Sequence, residues 1–345
     1  MVCAAWAATS VHGRASLRVV ADAAMLAGVL AGRPGVPRLP LVTVTAGDDR
    51  PSHAAEILVI EPDGPSPAAT ALPPVGTVSA AGGRAAVAAV EAAHRLITRG
   101  LADALVTGPL HKEALRAAGH DVPGHTELLA RACGLPDEAV SMMLWLPGTA
   151  TGADPAGGLG VVHATLHESL RSAVARLSPA GIAAAGLRLV PLLTALLGRS
   201  PRIAVAALNP HGGEGGLFGT EERGLVAPAV DRLRAAGIDV AGPIPADTLF
   251  LRASRGEYDG VVALYHDQGH IPVKLLGMHR AVNITLGLPM VRTSVAHGTA
   301  FDIVATGRAD ATSMLAAIDA AARLVAAGWP GVTAAAGPPP SPAAR

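Results

Sequence analysis

The segment Tyr265-His266-Asp267-Gln268-Gly269-His270, with Lys274 just beyond, gathers two imidazoles, a carboxylate, an amide and an ammonium group. It directly follows the apolar run Val261-Val262-Ala263-Leu264, which is short and β-branched enough to be a buried strand. Neutral imidazole is a common ligand for borderline divalent ions, carboxylates orient imidazoles or accept protons, and an ammonium group attracts anions. In open α/β sheets ligands bind outside the carboxyl ends of strands, where such groups would lie. Three other runs repeat the design. Residues 202–208 lead into Asn209-Pro210-His211-Gly212-Gly213-Glu214, residues 159–162 run through His163 to His167, and residues 104–106 lead into Thr107-Gly108-Pro109 with Lys112 beyond. Any single strand must end in something polar. Four such ends, three of them delivering a histidine, read as four walls of one crevice.

Within that crevice His167, His211 and His266 are the candidate metal ligands, since three protein ligands with an open position describe a catalytic metal site. Their spacing is not a local motif such as HExxH, and each histidine alone reads more readily as an ordinary core or surface residue. Asp247 and Asp267 are candidates for orienting those imidazoles or for acting as bases, against the plainer roles of capping and turn formation. Lys274 and Arg292 suit a carboxylate or phosphate, which arginine can hold through two hydrogen bonds. His125 and Thr126 stand at a predicted helix start, where Thr126 is expected to be the cap and where backbone and hydroxyl donors could receive a phosphate. The glycine-rich run 212–219 lacks both the GxGxxG spacing of a dinucleotide loop and the GK[ST] of a P-loop.

The elements that would position these residues alternate between apolar strands and helical stretches, which predicts an α/β fold. Strands are expected at 17–20, 41–44, 57–60 and at the four runs above. Helices are expected through Met25 to Leu30, from Ala80 to Arg99, from Lys112 to Ala118 with Gly119 closing it, from Ser169 to Leu177, over 182–197 and over 313–327. Residues 147–158 read as a surface loop, and the Pro/Ala-rich residues 334–345 as a disordered tail.

With 345 residues, half of them hydrophobic, the chain can bury a sizeable core, and its formal net charge of zero comes without a dense Lys/Arg block. That argues against a nucleic-acid or anionic-membrane surface, and the 2 % aromatic content argues against a base-stacking platform. Cys3 and Cys133 are isolated, which suits a reducing cytoplasm and disfavours a disulfide framework. No basic n-region opens the chain, and the longest apolar stretch, 187–197, contains Arg188 and Pro191 and reads as a buried helix.

Taken together the motifs resemble the 4-hydroxythreonine-4-phosphate dehydrogenase (PdxA) family. The matching segments are Thr107-Gly108-Pro109-Leu110-His111-Lys112, Gly124-His125-Thr126-Glu127, residues 209–214, Pro245-Ala246-Asp247-Thr248-Leu249-Phe250, Tyr265-His266-Asp267-Gln268, residues 283–289, Arg292-Thr293-Ser294 and residues 297–302. The likeness runs from about Gly76 to Ala327. It implies a two-domain isopropylmalate/isocitrate dehydrogenase-like α/β fold with the active site in the interdomain cleft. Residues 1–130 with 300–330 would form the first domain, and 131–299 the second, which carries a homodimer interface. It implies NAD-dependent oxidation of the 3-hydroxyl of a 4-phosphorylated four-carbon hydroxy acid, then decarboxylation. A divalent ion (zinc, magnesium or manganese) would be held by His167, His211 and His266 across the dimer interface. Substrate contacts carry over to His125, Thr126, Lys274, Asn283 and Arg292, with Lys274, Asp247 or Asp267 relaying the proton. NAD is expected at the His297-Gly298-Thr299 loop.

Residues 128–130, 216–219 and 269–272, with His120, lean toward the branch acting on 4-phospho-D-threonate or 4-phospho-D-erythronate rather than the vitamin-B6 branch. Alternatives are a family member acting on a non-phosphorylated cis-diol acid and a catalytically silent one. The family's opening Gly-Asp-Pro-x-Gly-Ile-Gly-Pro-Glu loop has no counterpart here, and an upstream in-frame extension is expected to encode it. Leu166 and Ala296 stand where threonine and aspartate usually precede the functional histidines.

Overall fold

The computed structural model describes residues 1–31, 38–64, 76–148, 157–304 and 306–329. Its strands are β1 (Val19–Val20), β2 (Leu41–Thr43), β3 (Ile57–Ile60), β4 (Ala104–Thr107), β5 (Ser141–Pro147), β6 (Gly158–His163), β7 (Ile203–Ala206), β8 (Val240–Ile244), β9 (Gly260–Ala263), β10 (Val282–Leu286) and β11 (Val291–Val295). Its helices are α1 (Val2–Trp6), α2 (Thr9–His12), α3 (Ala23–Leu30), α4 (Ala80–Thr98), α5 (Lys112–Ala117), α6 (His125–Ala132), α7 (Leu170–Arg176), α8 (Pro179–Leu197), α9 (Ala227–Ala235), α10 (Ala246–Ser254), α11 (His266–Gly277) and α12 (Thr312–Ala326). The α/β class read from the sequence is the class observed. The expected tail at 334–345 and most of the expected loop at 147–158 lie outside the described residues.

Two sheets form. A small parallel one has the order β1-β3-β2, and an eight-stranded mixed one the order β4-β11-β10-β5-β6-β9-β7-β8. The large sheet takes β4 from the first expected unit and its other strands from the second. Strands β6, β9, β7 and β8 run parallel to one another. Three antiparallel pairings separate β6 from β11, so β4 and β11 run the opposite way. The four histidine- and lysine-bearing runs are therefore not four neighbouring walls. Only β6, β9 and β7 adjoin, and β4 lies at the far edge, pointing the other way. Strand β5, which displaces the groups in this manner, escaped the sequence reading. Its core, Met143 to Leu146, is buried on both faces and shows no alternation.

Helices cover both faces of the large sheet. Leu189, Leu192 and Leu193 of α8, Leu233 of α9 and Leu324 of α12 form one core with Val162, Val205 and Val262. Leu249 and Phe250 of α10 and Val273 of α11 form the other with Val161, Ala204 and Val261. Helix α8 is long and apolar enough to cross a membrane by length and composition; here Leu189, Leu192 and Leu193 are fully buried against the sheet, while Leu187 is exposed. Glycine makes that contact close. A Cβ at Gly160 would lie 2.7 Å from Leu193, and one at Gly260 2.7 Å from the same leucine. Each leucine so buried contributes about 1.5–3 kcal/mol.

The turn between β10 and β11 rests on Gly287, whose φ is +88° and whose Cβ position lies 2.1 Å from the Ala139 carbonyl oxygen. Gly287→Ala combines a left-handed backbone with a backbone clash and is expected to cost about 2 kcal/mol or more. The urea midpoint should fall accordingly, and an unchanged midpoint would show that the turn relaxes freely.

Candidate active site

Helix α11 starts immediately after β9, with Tyr265 as its N-cap, and carries His266, His270 and Lys274 at spacings of four residues on one face. Strand β6 ends at His163, and the chain then turns through Thr165, whose hydroxyl donates to the Leu264 carbonyl at 2.8 Å, to reach His167. This places His167 beside His266, with ring centroids 5.7 Å apart. Both line a cavity of about 580 Å³ together with Leu166, Ser169, Leu170, Tyr265 and Asp267.

The donor chemistry suits a divalent ion. The His266 Nδ1 lies 2.7 Å from the Asp267 carboxylate; donation there leaves Nε2 as a lone-pair nitrogen. Burial, then Lys112 and His266, push the His167 pKa below its ordinary value, with Glu127 opposing, which favours the neutral imidazole. His211 sits apart. It is two-thirds exposed, its Nδ1 is 3.4 Å from Glu214, and its ring meets Phe218 edge-on. Among the described residues no three His, Cys, Asp or Glu side chains are gathered to hold a metal ion. One chain thus brings two of the three expected ligands together and presents the third outward.

The loop bearing His211 is not merely adaptable. Residues 211–215 are all left-handed, including His211 at φ 53° and Glu214 at φ 43°, a strained conformation for residues with side chains. Glu222 holds its base. Its carboxylate accepts N–H groups from Leu208 at 2.8 Å and Asn209 at 2.6 Å, and the Asn209 amide at 3.0 Å. Burial alone would raise the Glu222 pKa, but these hydrogen bonds carry it below the ordinary value.

A second group is built on β10, β11 and β4. Arg292 is 2 % exposed, and its terminal nitrogens donate to Thr285 at 2.9 Å and Thr107 at 2.7 Å, while its buried Nε has no partner. Burial lowers its pKa to about 10, with Glu127 opposing. Among the described residues no carboxylate forms an ion pair with it. His125 stands close enough that burial, then Arg292, hold its pKa down to about 3. Asn283, on β10, has a buried amide oxygen without a partner. Glu127 acts on both Arg292 and His167, so the two groups adjoin.

The remaining expected residues fall as follows. Thr126 is not the cap of α6: extended Gly124 is, and Thr126 lies inside the first turn. Asp247 sits in the first turn of α10 and makes no hydrogen bond to a histidine among the described residues. His297 is half-buried, with Nδ1 donating to the Gly298 carbonyl at 2.9 Å. The loop then enters a left-handed Ala300, and Phe301 stacks on His111 at 5.0 Å. A Cβ at Gly298 would meet no atom within 4 Å, so this backbone is open to a ligand. The sequence reading assigned no role to His163, His270, Glu214 or Glu222. The histidine four residues after His266 was the available signal for His270.

The α/β fold thus carries an imidazole group and a buried-arginine group side by side. The profile of the family described as "Pyridoxal phosphate biosynthetic protein PdxA" matches residues 14–321, and the chain belongs to that family. It is 49 % identical over 252 residues to the D-threonate 4-phosphate dehydrogenase of Cupriavidus necator, covering 73 % of this chain and 72 % of that one. It is 45 % identical over 317 residues to the enzyme of that name from Bordetella bronchiseptica, covering 92 % and 85 %. Among solved structures, the 4-hydroxythreonine-4-phosphate dehydrogenase of Klebsiella pneumoniae superposes with a TM-score of 0.75 at 42 % identity, covering 88 % and 87 %. The protein is an oxidoreductase of the dehydrogenase type.

The low His125 pKa has a consequence for stability. Between pH about 6.5 and about 3 the unfolded chain binds a proton at this residue that the folded chain does not, so stability is full above pH 6.5 and falls as pH drops. The slope from one such group is at most about 1.4 kcal/mol per pH unit. His125→Gln should flatten the fall in thermal midpoint between pH 6.5 and 4.5; an equally steep fall would assign it to other groups.

Proposed function

We propose that the protein oxidises the 3-hydroxyl of a 4-phosphorylated four-carbon hydroxy acid, D-threonate 4-phosphate or 4-phosphohydroxy-threonine, with NAD as acceptor and with decarboxylation of the resulting 3-keto acid. The observation that carries the substrate class is Arg292. A guanidinium buried among hydroxyls, without a carboxylate partner, is costly unless an anion completes it. Lys112, which acts on His167, and Lys274, which acts on His270, add positive charge on the imidazole side. The names of the relatives from Cupriavidus necator and Bordetella bronchiseptica agree with a phosphorylated acid.

When bound, a divalent ion would polarise the alcohol, and NAD would accept the hydride. His167 and His266 would hold the ion through neutral nitrogens, with Asp267 fixing His266. The third ligand, His211, would come from a second copy of the chain. Exposed apolar residues support that assembly: Ile271 and Leu275 on α11 and Met278 at its C-terminal end, Leu251 on α10, and Leu217 and Phe218 beside His211. Arg292, His125 and Thr126 would grip the phosphate, Asn283 would bind a substrate hydroxyl or carboxylate, and Lys274 would take or return the proton. His297, Gly298 and Thr299 would lie against NAD.

Arg292→Ala should raise KM for the phosphorylated acid by about one to two orders of magnitude, the worth of a charge-assisted contact. The unmutated enzyme should turn over the dephosphorylated acid far more slowly; equal rates would remove the phosphate from the assignment. His211→Ala should lose bound metal and most NADH formation while its mass in solution remains that of a dimer. A chelated wild-type protein that keeps its full rate would show that no metal is required.

A further inference from the structure

Two buried histidines beside His266 remain without a function. His163, closing β6, is 4 % exposed, and His270, one turn into α11, is 7 % exposed. The His270 Nδ1 and His163 Nε2 are 3.1 Å apart, so one ring donates to the other, and the same Nδ1 lies 3.2 Å from the His266 carbonyl. The His270 ring lies nearly parallel to that of His266, with an interplanar angle of 11° and centroids 3.7 Å apart. Gly269 makes room for this arrangement, since a Cβ there would stand 2.4 Å from the His163 Nε2.

We propose that His270, anchored by His163, is the positioning residue for His266. The stacked ring fixes the plane of the His266 imidazole while Asp267 takes its Nδ1–H, so the Nε2 lone pair is aimed before an ion arrives. Packing alone does not explain the pair. An apolar side chain would fill the same volume without burying imidazole nitrogens, and the His163 Nδ1 is buried with no partner. The i, i+4 spacing stacks the two rings, and the hydrogen bond from β6 prevents the upper ring from turning away.

The inference rests on His266 being a metal ligand, and the test separates the two. Wild type, His270→Leu, His270→Phe and His163→Leu, each as the full chain, are titrated with Zn²⁺ or Mn²⁺ alone against a chelating dye. Imidazole ¹⁵N NMR of the metal-free proteins reads the His266 tautomer, and thermal midpoint and solution mass report folding. His270→Leu should weaken metal binding by about 10- to 100-fold and turn a single Nδ1–H tautomer of His266 into a mixture. His270→Phe and His163→Leu, which each keep a flat ring at position 270 but lose the hydrogen bond that anchors it, should both lose less affinity than His270→Leu. Wild-type affinity and a single tautomer in His270→Leu would overturn the proposal, as would an equal loss in His270→Phe. A wild type that binds neither ion would instead remove the metal role of His266, and this inference with it.

Discussion

A single buried cation, Arg292, governs the part of the site built on β10, β11 and β4. Arg292 leaves water to enter the sheet between β10 and β4, and the protein returns only hydroxyl acceptors from Thr285 and Thr107. Neutral acceptors recover part of the lost hydration and none of the charge. The unsatisfied field spreads outward. With burial it keeps His125 neutral far below its ordinary range, and Glu127 is the acid that moderates it. The desolvation cost of such a group is met on folding, so any anion that meets it finds the charge already in place.

The imidazole side depends on backbone approach. Helix α11 can stand close to β6 only because residue 269 lacks a Cβ, and that proximity brings His163 under His270 and so under His266. His167 reaches the same group from the other side through the Thr165 turn. The site is therefore set by a strand end, a helix start and one glycine, all rigid elements, as a narrow geometric tolerance requires.

His211 stands on a different footing. Its loop is held in consecutive left-handed residues by a buried carboxylate, Glu222, that absorbs the N–H groups at its base. Strain of this kind persists only where surrounding contacts over-determine it. The outward presentation of His211, next to exposed Leu217 and Phe218, fits a residue offered to another surface rather than to its own chain.

The sequence by itself determined the alternation of apolar strands with helices, the polar residues that end those strands, and the motif set that marks the family. These are local properties: period, β-branching, glycine and the order of functional groups along the chain. It also singled out Arg292, His125 and His266 by type and position. Only the tertiary structure decided which of them meet. Strand β5 buries both faces and so carries no alternating pattern, yet it stands between β6 and β10, and the antiparallel β10–β11 pair beyond it turns β4 against β6 and undoes the picture of four adjoining walls. The burial of Arg292 against Thr107 and the anchoring of His270 by His163 depend on neighbours more than a hundred residues away, and the left-handed turn at His211 depends on Glu222 in the next helical segment. No local pattern encodes a contact such as that of His163 with His270, because it exists only once a helix has been packed onto a strand.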